Sequence, residues 1–238
     1  MNILSKPKTA CIFDVDGTLV KTEKMYAQIM VAHLNSLGIE LNEQDYMAQF
    51  SGKSFDTVLK HINQILISQN KQPLDIALTI QILDAKIKKH ITENGIDRTI
   101  GSIELLKDLN SKRIQKAIGS NAPYAGILDN LDASQQEQYF NENHIFSAYD
   151  LGSWKPNPAV FQAAYHSLDT TNVTTVFIFE DSMSGMLAIE GFQNQNPDLV
   201  VKGVFVDNGD NSHLRSHTPD IIQYHVSDLQ EARILIEN

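Results

Sequence analysis

The chain has 238 residues, 42% of them hydrophobic, and a formal net charge of -10. This is an ordinary globular composition, long enough for one large core or for a core with a small second domain. The acidic balance excludes a basic nucleic-acid groove, no apolar run is long enough to span a bilayer, and the single cysteine leaves no intrachain disulfide.

The polar stretch from Met1 to Lys8 lacks the apolar segment of a signal peptide, so a cytoplasmic setting is expected. Ala10 to Phe13 reads as a buried strand. It runs through Cys11 into Asp14-Val15-Asp16-Gly17-Thr18, where Gly17 marks its end. From Thr22 to about Asn94 the pattern turns helical. Tyr26, Ile29, Met30, Leu34 and Leu37 recur at the spacing of one helix face, and Gly38 stops that helix. Phe55 to Ile67 and Ile76 to Ile91 repeat the pattern, separated by Gln69 to Pro73. No strand is expected there.

Strand and helix alternate again after Gly101. Ser102 is the expected cap of a helix through Leu109. Ile114 to Ile118 is a strand ending in Gly119-Ser120-Asn121, and Pro123 to Leu131 is helical. Ile145 to Ala148 is a short strand. Asn157 is the expected cap of a helix that has Pro158 at its first position. Val176 to Phe179 is a strand ending in Glu180-Asp181, and Ser182 to Gly191 is helical. Val200 to Val206 is a strand, Ile221-Ile222 belong to a last one, and Asp228 to Ile236 form a closing helix.

This order predicts an α/β fold: a doubly wound parallel sheet forming a catalytic core from residues 1–21 and 97–238, with a small helical domain, 22–96, inserted after the first strand. Ligands in such sheets bind beyond the carboxyl ends of the strands. The polar punctuation falls at those ends: Asp14/Asp16, Ser120/Asn121 and Glu180/Asp181. Two acids ending a buried strand need a partner, and a divalent cation with oxygen ligands, Mg2+, is the simplest one.

Phosphoryl transfer needs a nucleophile, a proton donor, charge neutralisation and a cradle for phosphate oxygens. Asp14 suits the first role and Asp16 the second. Asp181 and Glu180 offer metal ligands, Ser120 and the Asn121 amide offer hydrogen bonds to the phosphoryl group, and Lys155 offers a fixed cation before Pro156-Asn157-Pro158. Taken singly, Ser120 reads as a turn residue, Lys155 as a surface lysine, and Glu180-Asp181 equally as a helix cap. Their joint occurrence in this order, at strand ends or in the loop beyond, is what points to a site.

FDVDGT, IGSN, WKPNP and FEDSMSG, in that order, resemble the four motifs of the haloacid dehalogenase superfamily, in the subgroup with a helical cap after the first strand. The resemblance covers nearly the whole chain. It implies that Asp14 forms an aspartyl-phosphate and that Asp16 protonates the leaving oxygen and then activates water. It also implies Mg2+ held by the Asp14 carboxylate, the Asp16 backbone carbonyl and Asp181, with Glu180 binding directly or through water. Gly17, Thr18 and Asn121 would lie against the substrate's phosphate. Superfamily members that cleave carbon–halogen or carbon–phosphorus bonds lack an acid at the position of Asp16, so its presence favours phosphate esters. SNAPYAGILDNL and SAYDLGSWKPNPAVF are similar to 6-phosphogluconate phosphatase-like members, although Ile100-Gly101 and Glu190-Gly191 depart from the usual proline-glycine and alanine-glycine.

Phe50-Ser51-Gly52-Lys53-Ser54 looks like the tail of a nucleotide-binding P-loop, but Met47 stands where that motif requires glycine and no strand precedes it. Lys53 and Ser54 are instead expected to touch the substrate away from its phosphate; an ordinary helix-connecting turn is the alternative. The expectation is an Mg2+-dependent phosphatase of a small phosphorylated metabolite, a sugar or sugar-acid phosphate, working as a monomer or weak dimer without nucleic acid or membrane. The alternatives are a sugar phosphomutase, which shares the catalytic set, and a non-catalytic binding protein on the same fold.

Overall fold

The computed structural model describes residues 8–50, 53–207, 209 and 211–236. The chain divides into two compact units, one of residues 1–21 and 96–238 and the other Thr22–Gly95.

The larger unit is built on a six-stranded sheet. In chain order the strands are β1 (Lys8–Phe13), β2 (Gln115–Ser120), β3 (Ile145–Ser147), β4 (Val173–Glu180), β5 (Val200–Val206) and β6 (Ile222–Val226). Their spatial order is β3-β2-β1-β4-β5-β6, and every pairing is parallel. β1 therefore lies at the centre, with β2 on one side and β4 on the other. Phe13 is in register with both Ile118 and Phe179, which brings the carboxyl ends of these three strands level.

Alternation along β1 explains how both faces are covered. Ala10 and Ile12 join a cluster with Phe161 and Ala164 of α7 (Ala159–His166) and with Met186, Ile189 and Phe192 of α8 (Met183–Gln195). Cys11 and Phe13 join another with Leu105, Leu106 and Leu109 of α5 (Ser102–Ser111), Ile127 and Leu131 of α6 (Tyr124–Ala133), and Leu229 of the short α9 (Leu229–Ala232). Phe13 and Phe179 stack with ring centroids 4.5 Å apart. Each sits one residue before an acid, so their burial, about 1.5–3 kcal/mol per side chain, also holds those acids in register.

The smaller unit contains α1 (Glu23–Ser36), α2 (Glu43–Phe50), α3 (Phe55–Ser68) and α4 (Ile76–Asn94) around a core of Met30, Leu34, Phe50, Leu59, Ile62 and Leu83. Gly38, at φ +75°, follows α1 as expected. Sequence periodicity does not reveal α2, because eight residues bury only Tyr46 and Phe50. Its start is nevertheless specified locally: Asn42 Oδ1 accepts from the Asp45 amide at 2.8 Å.

Two caps differ from expectation. α5 starts after Gly101 in the left-handed region, and Ser102 is its first helical residue. α7 starts after Pro158, with Asn157 Oδ1 accepting from the Ala159 amide at 3.0 Å. The expected closing helix is shorter, α9 passing into a 3-10 turn at Arg233–Ile236. No described helix is long and apolar enough to cross a membrane.

Candidate active site

Beyond β1 the chain makes a tight turn. Gly17 N donates to Val20 O at 2.7 Å, Asp16 bridges to Val20, and Gly17 adopts φ +84°. A Cβ on Gly17 would lie 1.9 Å from Asp181 Oδ2, so only glycine lets the turn approach that carboxylate. Asp14 is tied to the neighbouring strand through its amide, which donates to Phe179 O at 3.0 Å.

Lys155 joins the separated motifs. Its Nζ lies 2.6 Å from Asp14 Oδ1 and 2.6 Å from Glu180 Oε1, and all three side chains are buried. The loop holding it is pinned by Asn121, whose Oδ1 accepts from the Lys155 amide at 3.0 Å. Ser120 Oγ, also buried, accepts from the Ala122 amide at 3.2 Å.

Burial pushes the Asp14 carboxyl well above the usual carboxylate range; Lys155 pulls it down, and the charges of Glu180 and Asp16 push it further up. Burial pulls the Lys155 ammonium down, but Asp14 and Glu180 outweigh it through charge and hydrogen bonding, and the net shift is upward. Both partners of one ion pair thus move up. The acids around Lys155 share a single cation, so the lysine keeps its proton and Asp14 is the carboxyl whose ionised form these surroundings disfavour.

The structure brings Asp14, Ser120, Asn121, Lys155, Glu180 and Asp181 to one edge of the sheet, with Asp16, Gly17 and Thr18 in the turn beside them. Several side chains have other partners than expected. Glu180, expected as a metal ligand, gives Oε1 to Lys155, while Oε2 accepts from the Asp181 amide (2.9 Å), the Ser182 amide (2.8 Å) and Ser182 Oγ (3.0 Å). Its carboxylate sits at the start of α8, which suits an anion. Thr18, expected at the phosphate, points its hydroxyl at Asp181 Oδ1, 3.4 Å away. Ser54 of the smaller unit caps α3, accepting from the Thr57 amide at 3.3 Å, and the Lys53 ammonium stands 5.5 Å from the centroid of the Phe50 ring. Ser51 and Gly52 of the same loop lie outside the described residues.

Three residues at this edge escape sequence reasoning. Asn130 Nδ2 donates to Asp16 Oδ1 at 2.9 Å, and Asn211 Nδ2 donates to Asp181 O at 2.6 Å. Gly185 leaves room for Glu180. Asn130 carries a legible signal: it is an amide on the apolar stripe of α6, three residues after Ile127 and beside Leu131.

The chemistry of the donors fits a divalent cation. Four acids, Asp14, Asp16, Glu180 and Asp181, gather at this edge with one buried lysine, which pairs with Asp14 and Glu180, and the ionised form of Asp14 is disfavoured there. Among the described residues no three His, Cys, Asp or Glu side chains are arranged to hold a metal. A hard cation that keeps waters and a phosphate oxygen needs only one or two carboxylates, which Asp14 and Asp181 would supply.

The open parallel sheet thus carries an acid-and-lysine cluster at its carboxyl edge, where ligands bind in such sheets. The family model for haloacid dehalogenase-like hydrolases matches residues 11–191. The chain belongs to that family and is a phosphatase. It is 24% identical over 176 residues to the 6-phosphogluconate phosphatase of Escherichia coli strain K12, covering 74% of this chain and 75% of that protein. It is 25% identical over 182 residues to the phosphorylated carbohydrates phosphatase of Thermotoga maritima, covering 75% and 79%. Among solved structures, a family IA, variant 3 hydrolase from Entamoeba histolytica superposes with a TM-score of 0.77 at 17% identity, covering 97% of this chain and 100% of that one.

Proposed function

We propose that the enzyme hydrolyses the phosphate monoester of a small sugar or sugar acid through an aspartyl-phosphate, using Mg2+. The observation that carries the reading is the buried lysine placed 2.6 Å from both Asp14 and Glu180 at the carboxyl edge of the sheet. Lys155 neutralises Asp14 as it meets an anionic substrate, and Glu180 fixes the lysine.

In the first step an Asp14 carboxylate oxygen forms a bond to phosphorus as the ester P–O bond breaks, and Asp16 gives its proton to the departing sugar oxygen. In the second, Asp16 takes a proton from water, the water oxygen bonds to phosphorus, and the bond to Asp14 breaks. Inorganic phosphate leaves, Asp14 is again a carboxylate and Asp16 is again protonated. Ser120 and the Asn121 amide hold phosphoryl oxygens. Asp14, Asp181 and the Asp16 carbonyl would hold Mg2+, which when bound supplies charge stabilisation at the phosphoryl oxygens.

The relatives named for 6-phosphogluconate and phosphorylated carbohydrates support the substrate class. A panel of sugar and sugar-acid phosphates, assayed with and without Mg2+ for released phosphate, tests it. Release from 6-phosphogluconate or a hexose phosphate that stops on chelation is the expected result. Phosphate retained on an isomerised sugar would favour a mutase instead. Mass analysis of acid-quenched enzyme should find a phosphoryl group on the peptide containing Asp14, and none in Asp14→Asn.

A further inference from the structure

The structure assigns Asn130 a positioning role in the reaction: it holds Asp16 by one carboxyl oxygen so that the other carries the proton to the leaving group. The inference rests on Asp16 being the acid of the proposed mechanism and adds the residue that orients it.

The hydrogen bond from Asn130 Nδ2 to Asp16 Oδ1 is 2.9 Å long, and Asn130 is only 3% exposed. A protonated carboxyl has one hydroxyl and one carbonyl oxygen, and only the carbonyl oxygen suits a donor that already points at it. With Asn130 donating to Oδ1, the proton is directed to Oδ2. Asp16 is thereby held through its side chain as well as through its bridge to Val20.

The region around Asn130 grips the same turn a second time. Gln136, just beyond α6, donates from Nε2 to Leu19 O at 3.2 Å and to Ser134 Oγ at 3.0 Å. The Ser134 amide donates to Asn130 O at 3.1 Å, closing the end of the helix. α6 itself starts just after Ser120-Asn121, so one helix links the phosphate-binding loop to the acid. A leucine at 130 would match its neighbours Ile127 and Leu131 in the apolar stripe, but it would remove the donor to Asp16 Oδ1.

The transfer is a simple exchange: the Asp16 Oδ2–H bond breaks as the bond from that proton to the sugar oxygen forms, and the ester electrons go to that oxygen. A leaving group that departs as a stable anion does not need the proton. Because Asp16 also takes the proton from water in the second step, which every substrate shares, the test reads the first step alone: the single-turnover rate constant of leaving-group release from the sugar phosphate that wild type turns over best, and from dinitrophenyl phosphate. The ratio of these two rate constants does not depend on how much of a variant folds.

In Asn130→Ala single-turnover release of the sugar should slow about 10–100-fold, part of the roughly 100–10,000-fold that a positioned acid supplies, with release of dinitrophenolate within about 3-fold of wild type. Asn130→Ser, a milder change, should alter the ratio in the same direction. Asp16→Asn serves as the reference and should show the larger selective loss. Equal slowing of leaving-group release from both substrates in the Asn130 variants, or faster release of the sugar, would overturn the positioning role while leaving the proposed function intact. If Asp16→Asn slows release from both substrates equally, the acid assignment fails and the role of Asn130 falls with it.

Discussion

A Cβ on Gly185 would lie 1.8 Å from the carboxyl carbon of Glu180. Gly185 is in the first turn of α8, where alanine ordinarily gains up to about 1 kcal/mol over glycine in helix propensity. Here the added methyl has to displace a buried carboxylate that anchors Lys155. Gly185→Ala should therefore destabilise the protein by about 1–3 kcal/mol, the cost of overpacking, and should lower turnover through the lysine. Urea denaturation and a phosphate-release assay measure both. A more stable and fully active variant would mean that Glu180 is free to move without consequence.

Lys155 is the cation between two buried carboxylates, so the type of substitution matters. Lys155→Met keeps most of the apolar stem and removes the charged end, leaving Asp14 and Glu180 without their shared cation. A loss of about 3–5 kcal/mol is expected, the usual cost of orphaning one side of a buried ion pair, along with loss of turnover. The double variant Lys155→Met/Glu180→Gln should recover part of the stability but none of the activity. Measuring both quantities on these two proteins and on Glu180→Gln alone separates the lysine's structural part from its chemical part, and additive stability losses would show that the pair is not coupled.

The raised Asp14 pKa has a definite sign. A carboxyl whose folded pKa lies above its unfolded value favours folding in its protonated form. That contribution is complete below the ordinary carboxylate pKa and is lost as pH rises through the folded pKa. The stability advantage of metal-free wild type over Asp14→Asn should therefore shrink from acidic pH upward. Mg2+ should restore it increasingly at higher pH, because the cation binds the deprotonated form and releases the proton. Thermal denaturation across pH, with and without Mg2+, checks this. A difference that grows with pH in the metal-free protein would reverse the sign and place Asp14 under the control of Lys155 alone.

The sheet and its acids were legible because their signals are local: an apolar run, then a polar pair, at the end of β1 and again at the end of β4. The role of Glu180 was not legible, because Asp and Glu at a strand end read alike until the fold shows which one meets a lysine twenty-five residues away in sequence. The resemblance places Thr18 at the phosphate; the structure adds that its hydroxyl lies 3.4 Å from Asp181 Oδ1, a contact no local pattern announces. Asn211 gives no sequence signal, since an asparagine in a polar loop is unremarkable until its amide is found on the Asp181 carbonyl. α2 went unread because its start depends on Asn42 and only two of its residues are buried.

Lys53 is the residue through which substrate choice is most directly tested. Its ammonium stands over the Phe50 ring, an exposed cation–π contact of about 0.5–1 kcal/mol that holds the charge without neutralising it. Ser54, by contrast, is engaged as the cap of α3. If Lys53 reads an anionic or hydroxyl-rich leaving group, Lys53→Ala should raise KM for the preferred sugar phosphate about 3–10-fold, in line with the roughly 0.5–1.5 kcal/mol net worth of one hydrogen bond. kcat should change little, because such a contact is the same in ground and transition states. Ser54→Ala should instead lower stability by about 0.5–2 kcal/mol, as loss of an N-cap does, with KM unchanged. The opposite pattern, a KM effect at Ser54 and none at Lys53, would move substrate reading from the lysine to the start of α3.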